Sequence, residues 1–254
     1  MAYKYEPQSL NGKAVVLTGG TTGIGRSTAQ RLVMDGAKVL IFGRQEDQLQ
    51  EALQDIRASA ESSGGEVYGL VANSADPADV AKIFEEADRV LGGVDILINN
   101  AALAAQSILD SDYDTWREVI DTNILGYLDC SRHAIDRMLP RGRGHILNVG
   151  SLSAKVREGG SDVYVATKAA IEGFSEALRK QVNGKGIKVS LVEPGLVGTD
   201  MTASNTPPPE QPKKEEEGAM LIAEDLAECI RYCLIQPQRC DVILVQIRPS
   251  QQAI

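Results

Sequence analysis

Cysteine and histidine are scarce in this chain and set at the wrong spacings for metal. Cys130, Cys229, Cys233 and Cys240 are scattered rather than grouped in short pairs, and His133 and His145 do not complete a ligand pattern with them. No metal is expected, and the thiols are expected to be reduced in a cytoplasmic setting. No stretch is apolar enough to span a bilayer, so no membrane partner is expected. Residues 1–7 carry Lys4 and Glu6 without an apolar segment and do not read as a secretory signal. Positive charge is also short: 26 Lys and Arg face 35 Asp and Glu, giving a net charge of -9. That balance argues against nucleic acid and anionic membranes as partners and in favour of small-molecule ligands.

What is present is ordinary globular composition, with 43% apolar and 24% charged residues over 254 positions. A chain of this size can form one large α/β domain, expected here over residues 1–254. Short β-branched runs alternate with segments of helical period, the signature of βαβ units and a parallel sheet. Strands are expected at 14–17, 38–42, 67–71, 94–98, 145–149, 189–192 and 242–247. Helical period runs through 49–60, 113–138, 163–182 and 222–234. It also follows Asp76-Pro77, a cap and first-turn proline, where Val80, Ile83, Phe84, Ala87, Val90 and Leu91 share one face. The pattern breaks at 201–218, where Pro207, Pro208, Pro209 and Pro212 precede Lys213-Lys214-Glu215-Glu216-Glu217. No packed core is expected there. Because the segment follows the sixth strand, it reads as a mobile lid over a ligand site, or as a plain solvated loop.

After the first strand the chain reads Thr18-Gly19-Gly20-Thr21-Thr22-Gly23-Ile24-Gly25. Glycines there permit a tight turn and let backbone N–H groups approach a pyrophosphate at the positive end of the following helix. The second strand ends in Phe42-Gly43-Arg44, where a carboxylate would normally meet the ribose hydroxyls of an unphosphorylated dinucleotide. Arg44 instead suits a 2′-phosphate, so NADP(H) is expected over NAD(H), the alternative being a surface arginine that caps the next helix.

Tyr164 and Lys168 stand four apart near the start of a helical segment and share one face. An ammonium beside a phenol favours phenolate, so this pair could trade a proton with a carbonyl or alcohol oxygen. Ser151 follows the fifth strand at the same sheet edge, where its hydroxyl could hold the reacting oxygen. Between Ser151 and Tyr164, the residues Lys155, Val156 and Arg157 are expected to border the substrate, with Arg157 a candidate to attract a carboxylate or simply solvated surface.

Taken together these residues resemble a classical short-chain dehydrogenase/reductase, and the likeness covers nearly the full length. The family's glycine motif matches Thr18 to Gly25, its Asn-Asn-Ala-Gly motif matches Asn99-Asn100-Ala101-Ala102, and its Pro-Gly segment matches Pro194-Gly195. Its catalytic asparagine, serine, tyrosine and lysine fall on Asn123, Ser151, Tyr164 and Lys168. The resemblance implies a Rossmann fold, a doubly wound sheet ordered 3-2-1-4-5-6-7 with helices on both faces, and a proton relay in which Asn123 holds water next to Lys168. It also implies cofactor contacts from Gly19, Thr21, Thr22, Gly23, Ile24 and Gly25, from Arg44, Asn73 and Ser74, and from Asn100, Ala101 and Ala102. Tyr164, Lys168, Pro194, Gly195, Val197 and Thr199 complete that set, Thr199 meeting the nicotinamide carboxamide. Two residues depart from the pattern: Ala102 replaces a glycine, and Asn73 stands where an aspartate usually binds the adenine amino group. The implied activity is hydride transfer between a nicotinamide cofactor and a small-molecule carbonyl or alcohol, in a homotetramer or homodimer. A cofactor sensor without turnover and a 3-oxoacyl-carrier-protein reductase are the alternatives. Residues 103–107 lack the sequence associated with the latter.

Overall fold

Strands buried on both faces need continuous apolar runs, and the central strands over Ala14–Thr18 and Ile96–Asn99 show how this chain meets that demand. In a computed structural model, residues 4–61, 63–203 and 206–252 are described; the remaining positions of the 1–254 domain expectation, including 204 and 205 of the expected lid, lie outside the described residues. β1 (Ala14–Thr18) is buried at every position and pairs in parallel with β2 (Lys38–Gly43) on one side and β4 (Ile96–Asn99) on the other. β3 (Glu66–Val71), β5 (Gly144–Val149), β6 (Ile187–Pro194) and β7 (Leu244–Ile247) complete an all-parallel sheet in the order 3-2-1-4-5-6-7.

Alternate residues of each strand feed two cores. Val15, Leu17 and Val192 pack on one face against α1 (Gly23–Met34), α2 (Glu46–Ser59) and α9 (Ala223–Leu234). Val16, Leu40 and Val189 pack on the other against α3 (Pro77–Leu91), α5 (Gly126–Met138) and α7 (Asp162–Val182). α3 begins as expected: Asp76 Oδ1 accepts the Ala78 N–H at 2.8 Å and Pro77 opens the first turn. Where β4 and β5 meet, a dry polar cluster ties sheet to helices. Asn99 Nδ2 donates to Asn148 Oδ1 at 2.9 Å and to Ser131 Oγ at 3.1 Å, and Asn148 Nδ2 donates to Ser175 Oγ at 2.8 Å. All four side chains are buried.

Besides β4 and β7, which begin two residues later than expected, three expectations change. The single helix expected over 113–138 is α4 (Tyr113–Ile120), a π-helical turn at Asp121–Leu125, and then α5. The wider turn leaves the apolar spacing nearly intact, so periodicity cannot reveal it. β6 begins at Ile187 rather than 189 because Lys188, polar in sequence, is buried in the strand with Nζ donating to Gln236 O and Cys240 O. The 201–218 segment carries a short helix, α8 (Gln211–Glu216), with Pro212 in its first turn, where no N–H is missed. Thr206 is 2% exposed and accepts from Lys214 Nζ, while Gln211 Nε2 donates to Thr206 O at 3.0 Å, so part of the segment does pack.

Candidate active site

Two cavities open at the carboxyl edge of the sheet, where open parallel sheets bind ligands. The first, about 280 Å³, runs from Arg44 and Asn73 past the glycine loop to Tyr164, Lys168 and Thr199. The loop that shapes it is fastened from behind. Thr18 Oγ1 accepts the N–H groups of Asn100 and Ala101, both at 2.8 Å, and Asn100 Nδ2 donates to the carbonyls of Thr18 and Gly19. Gly19 has φ +65°, and a Cβ there would sit 2.9 Å from Ala101 Cα. At Gly25 a Cβ would run into the Gly19 carbonyl and the Asn100 amide, so this position holds helix and loop together behind the cleft.

α1 begins at the loop without an acid in its first turn and without a side-chain cap from Thr22. Its leading N–H groups are therefore free for an external anion, at the positive end of the helix. This arrangement fits the pyrophosphate of a dinucleotide. Thr21, Thr22, Gly23, Ile24, Ser74, Asn100, Ala101, Ala102 and Pro194 line the cleft as expected. Gly195 lines the neighbouring cavity instead. Val197 lines neither cavity: it bridges to Leu221, and its side chain, 4% exposed, is claimed by the core.

Two residues at the adenosine end are already engaged. Arg44 Nη1 meets Glu118 Oε1 at 2.9 Å, across 74 residues of sequence. Asn73 Oδ1 accepts the Ala75 N–H at 3.1 Å, which leaves one lone pair on that oxygen for a ligand.

At the other end, β5 delivers Val149 and the start of α7 delivers Tyr164 and Lys168. Lys168 is 2% exposed; Nζ donates to Val149 O at 3.0 Å and lies over the rings of Tyr127 (5.7 Å) and Tyr164 (5.6 Å). Burial pushes its ammonium down from 10.5 to about 8. The Tyr164 phenol moves up to about 12: burial dominates, the Ser151 hydroxyl opposes it, and the Glu158 carboxylate adds to it. Burial thus outweighs the nearby ammonium at the phenol, and the acidification expected there also draws on the positive nicotinamide ring. Lys168 sits against the ring and aims its N–H at Val149 O, whereas burial acts on the phenol oxygen directly.

Asn123 stands within the π turn and is completely buried. Its Oδ1 accepts the Leu103 N–H at 2.8 Å, and Nδ2 donates to Leu103 O at 2.9 Å and Thr167 Oγ1 at 3.2 Å. Its amide therefore clamps the loop after β4 to α7. Tyr127, one turn on, was not singled out in the sequence. Its hydroxyl donates at 3.1 Å to the same Val149 carbonyl that holds Lys168. The spacing of four from Asn123 was the available signal, but a buried tyrosine ordinarily reads as core.

The second cavity, about 590 Å³, lies outside Ser151 and Tyr164. A short helix, α6 (Ser153–Val156), forms one wall. Of the three residues expected to border substrate, Val156 lines this cavity, while Lys155, paired with Glu172, and Arg157 do not. Arg157 ends α6 at φ +57°, the one non-glycine in the left-handed region among the described residues, and its Nε returns toward Ala154 O at 3.4 Å. Glu158, the next residue, lines the cavity in its place.

With this geometry in view, comparison with known proteins is decisive. The short chain dehydrogenase family pattern matches residues 13–210. The chain belongs to the short-chain dehydrogenase/reductase family. An uncharacterised oxidoreductase of Staphylococcus aureus strain N315 is 34% identical over 241 residues, covering 94% of this chain and 98% of the relative. A counterpart from Staphylococcus saprophyticus is 31% identical over 243 residues, with the same coverage. A Mycobacterium ulcerans short-chain type dehydrogenase/reductase superposes with TM-score 0.86 at 23% identity, covering 96% of this chain and 90% of that one. A short chain dehydrogenase of Burkholderia cenocepacia, solved in complex with NADP, gives TM-score 0.82 at 28% identity over 95% of this chain and 98% of that one. This short-chain dehydrogenase/reductase is thus an oxidoreductase with the sheet order its family implies.

Proposed function

We infer that this enzyme reduces a carbonyl compound to an alcohol with NADPH, with Tyr164 as the proton donor. The observation that carries the reading is that Tyr164 alone among the four expected catalytic residues lines both cavities. Its phenol therefore stands where a dinucleotide in the first and a carbonyl in the second would meet. NADPH, held by the glycine loop, Asn100 and Thr199, would supply the hydride for the carbonyl carbon and leave as NADP+.

Tyr164 gives its proton to the carbonyl oxygen, and solvent returns one to the phenolate. A phenol near 12 keeps that proton at neutral pH, which suits reduction. The Ser151 hydroxyl, which lines the same cavity as Tyr164, holds the same substrate oxygen. Lys168 keeps a positive charge behind the phenol and stabilises the phenolate as it forms. Asn123 keeps the loop at Leu103 and α7 in register around the site. Arg44 provides the 2′-phosphate contact that favours NADP(H). Support for NADPH over NADH comes from that guanidinium at the cleft and from the NADP complex of the Burkholderia relative. Ile120, Leu125 and Leu128 are exposed along α4, the π turn and α5, which supports association of copies through that face, to be checked by light scattering.

The test is NADPH oxidation across a broad panel of ketones and aldehydes. Wild type is expected to turn over some of them, and Tyr164→Phe to lose about 10² to 10⁴ of the rate while still binding cofactor. Undiminished turnover by Tyr164→Phe, or cofactor binding without turnover on any compound, would overturn the reading.

A further inference from the structure

The outer cavity has an electrostatic character that the family's catalytic residues do not determine. Its walls are mixed: Leu152 and Val156, from the turn before α6 and from α6 itself, and Leu196 and Met201, which follow β6, alternate with polar side chains such as Gln106 and Ser161. Among the described lining residues, Glu158 is the one charged side chain. Its Oε1 accepts the Ser153 hydroxyl at 2.6 Å, so the carboxylate is held at the cavity rather than left to swing freely.

Cations of the flanking segments are engaged elsewhere. Lys155 pairs with Glu172, Arg157 reaches back to Ala154 O, Lys214 donates to Thr206 Oγ1, and Arg248 Nη1 donates to Gln252 O. None of the four lines the cavity. An anion entering it would meet a carboxylate with no cation beside it in the lining, in a protein of net charge -9. A cation would meet a counter-charge with no competing ammonium in the lining.

We propose that Glu158 sets the charge selectivity of the enzyme, whose substrates are carbonyl compounds without an anionic group and preferentially with an ammonium substituent. This rests on the carbonyl-reductase reading above and narrows it. It also reverses the sequence expectation of a carboxylate drawn to Arg157, and it places 3-oxo acids outside the preferred class.

Three acetophenones of equal size test it: para-(aminomethyl)acetophenone, para-acetylbenzamide and para-acetylbenzoate, positive, neutral and negative at neutral pH. Taken relative to the amide, kcat/KM with NADPH is expected to rise about fivefold for the amine and fall about fivefold for the carboxylate, narrowing at high salt. Glu158→Gln, which preserves the acceptor for Ser153, is expected to bring both ratios within about twofold of those of the neutral compound. Glu158→Lys is expected to invert them. Comparing each compound across variants cancels its intrinsic electrophilicity. The same compounds are also titrated onto the NADPH-bound protein by nicotinamide fluorescence. Binding ratios that depend on Glu158 without turnover would overturn the reductase reading and leave the charge selectivity standing. Turnover whose ratios Glu158→Gln leaves unchanged, a wild-type preference for the benzoate, or no difference in either assay would overturn the proposal.

Discussion

The pairing of Arg44 with Glu118 makes cofactor preference a competition that mutation can tilt both ways. With side chains 54% and 57% exposed, the pair contributes only about 0.2–1 kcal/mol. A charge-assisted hydrogen bond from the same guanidinium to a 2′-phosphate is worth about 1.5–3 kcal/mol. If binding requires the first contact to be surrendered for the second, the net gain is about 0.5–2.8 kcal/mol. Arg44→Ala should then weaken NADPH binding by about twofold to a hundredfold and leave NADH nearly unchanged. Glu118→Gln frees the guanidinium and removes a like charge from beside the phosphate, and should tighten NADPH by about 1.5- to 5-fold, again without effect on NADH. Fluorescence titration of both cofactors with wild type, each single variant and the double variant closes the cycle. In the double variant the benefit of Glu118→Gln should shrink, since no guanidinium remains to be freed. Equal losses for NADPH and NADH in Arg44→Ala, or a Glu118→Gln effect that NADH shares, would refute the reasoning.

Other consequences follow from the same geometry. Because burial brings Lys168 down to about 8, the rate of carbonyl reduction should be level below that pH and decline above it as the ammonium is lost. A profile flat through this range, or an unchanged limb in Lys168→Met, would remove the lysine from the mechanism. His145 is buried between strands with Nε2 2.8 Å from Ser190 Oγ, and burial followed by the nearby Lys188 charge holds its pKa from 6.5 down to about 3. The neutral ring's contribution is fully present above 6.5 and is lost as pH falls toward 3, a total of about 5 kcal/mol. Urea midpoints should fall steadily with acidification over that window and less steeply in His145→Gln. Gly25→Ala forces a methyl into the Gly19 carbonyl and should abolish measurable cofactor binding, by calorimetry, well before it abolishes the sheet's circular dichroism.

The central strands were legible because each is a short apolar run, β4 being buried at all four positions, and the glycine loop after β1 and Ser151 after β5 marked the edge of the candidate site; the strand order was implied only by the family resemblance. What escaped the sequence has physical causes. The π turn at Asp121–Leu125 preserves a helical period that a plain helix would also give. The Val149 carbonyl, which receives both Tyr127 and Lys168, belongs to the backbone and has no letter of its own. Arg44 and Glu118 meet only through the fold, as do Lys188 and the carbonyls of Gln236 and Cys240. Arg157 and Glu158 differ by one position, yet the left-handed turn at Arg157 sends their charges in different directions. Burial likewise decides the phenol's proton affinity against the ammonium, a balance that spacing along the helix cannot express.

The dry cluster of Asn99, Asn148, Ser131 and Ser175 acts as a proofreading device for assembly. Asn99 and Asn148 lie opposite one another where β4 pairs with β5, and each is claimed by a serine from a different helix. A slip of one residue between these strands would rotate the amides into the opposite layer and strand both hydroxyls among apolar neighbours, at a cost of about 1–3 kcal/mol for each orphaned group. The observed alignment satisfies both serines and both amide nitrogens, leaving Asn99 Oδ1 as the one unpartnered side-chain atom of the cluster, and it sets Val149 at the carboxyl edge of the sheet.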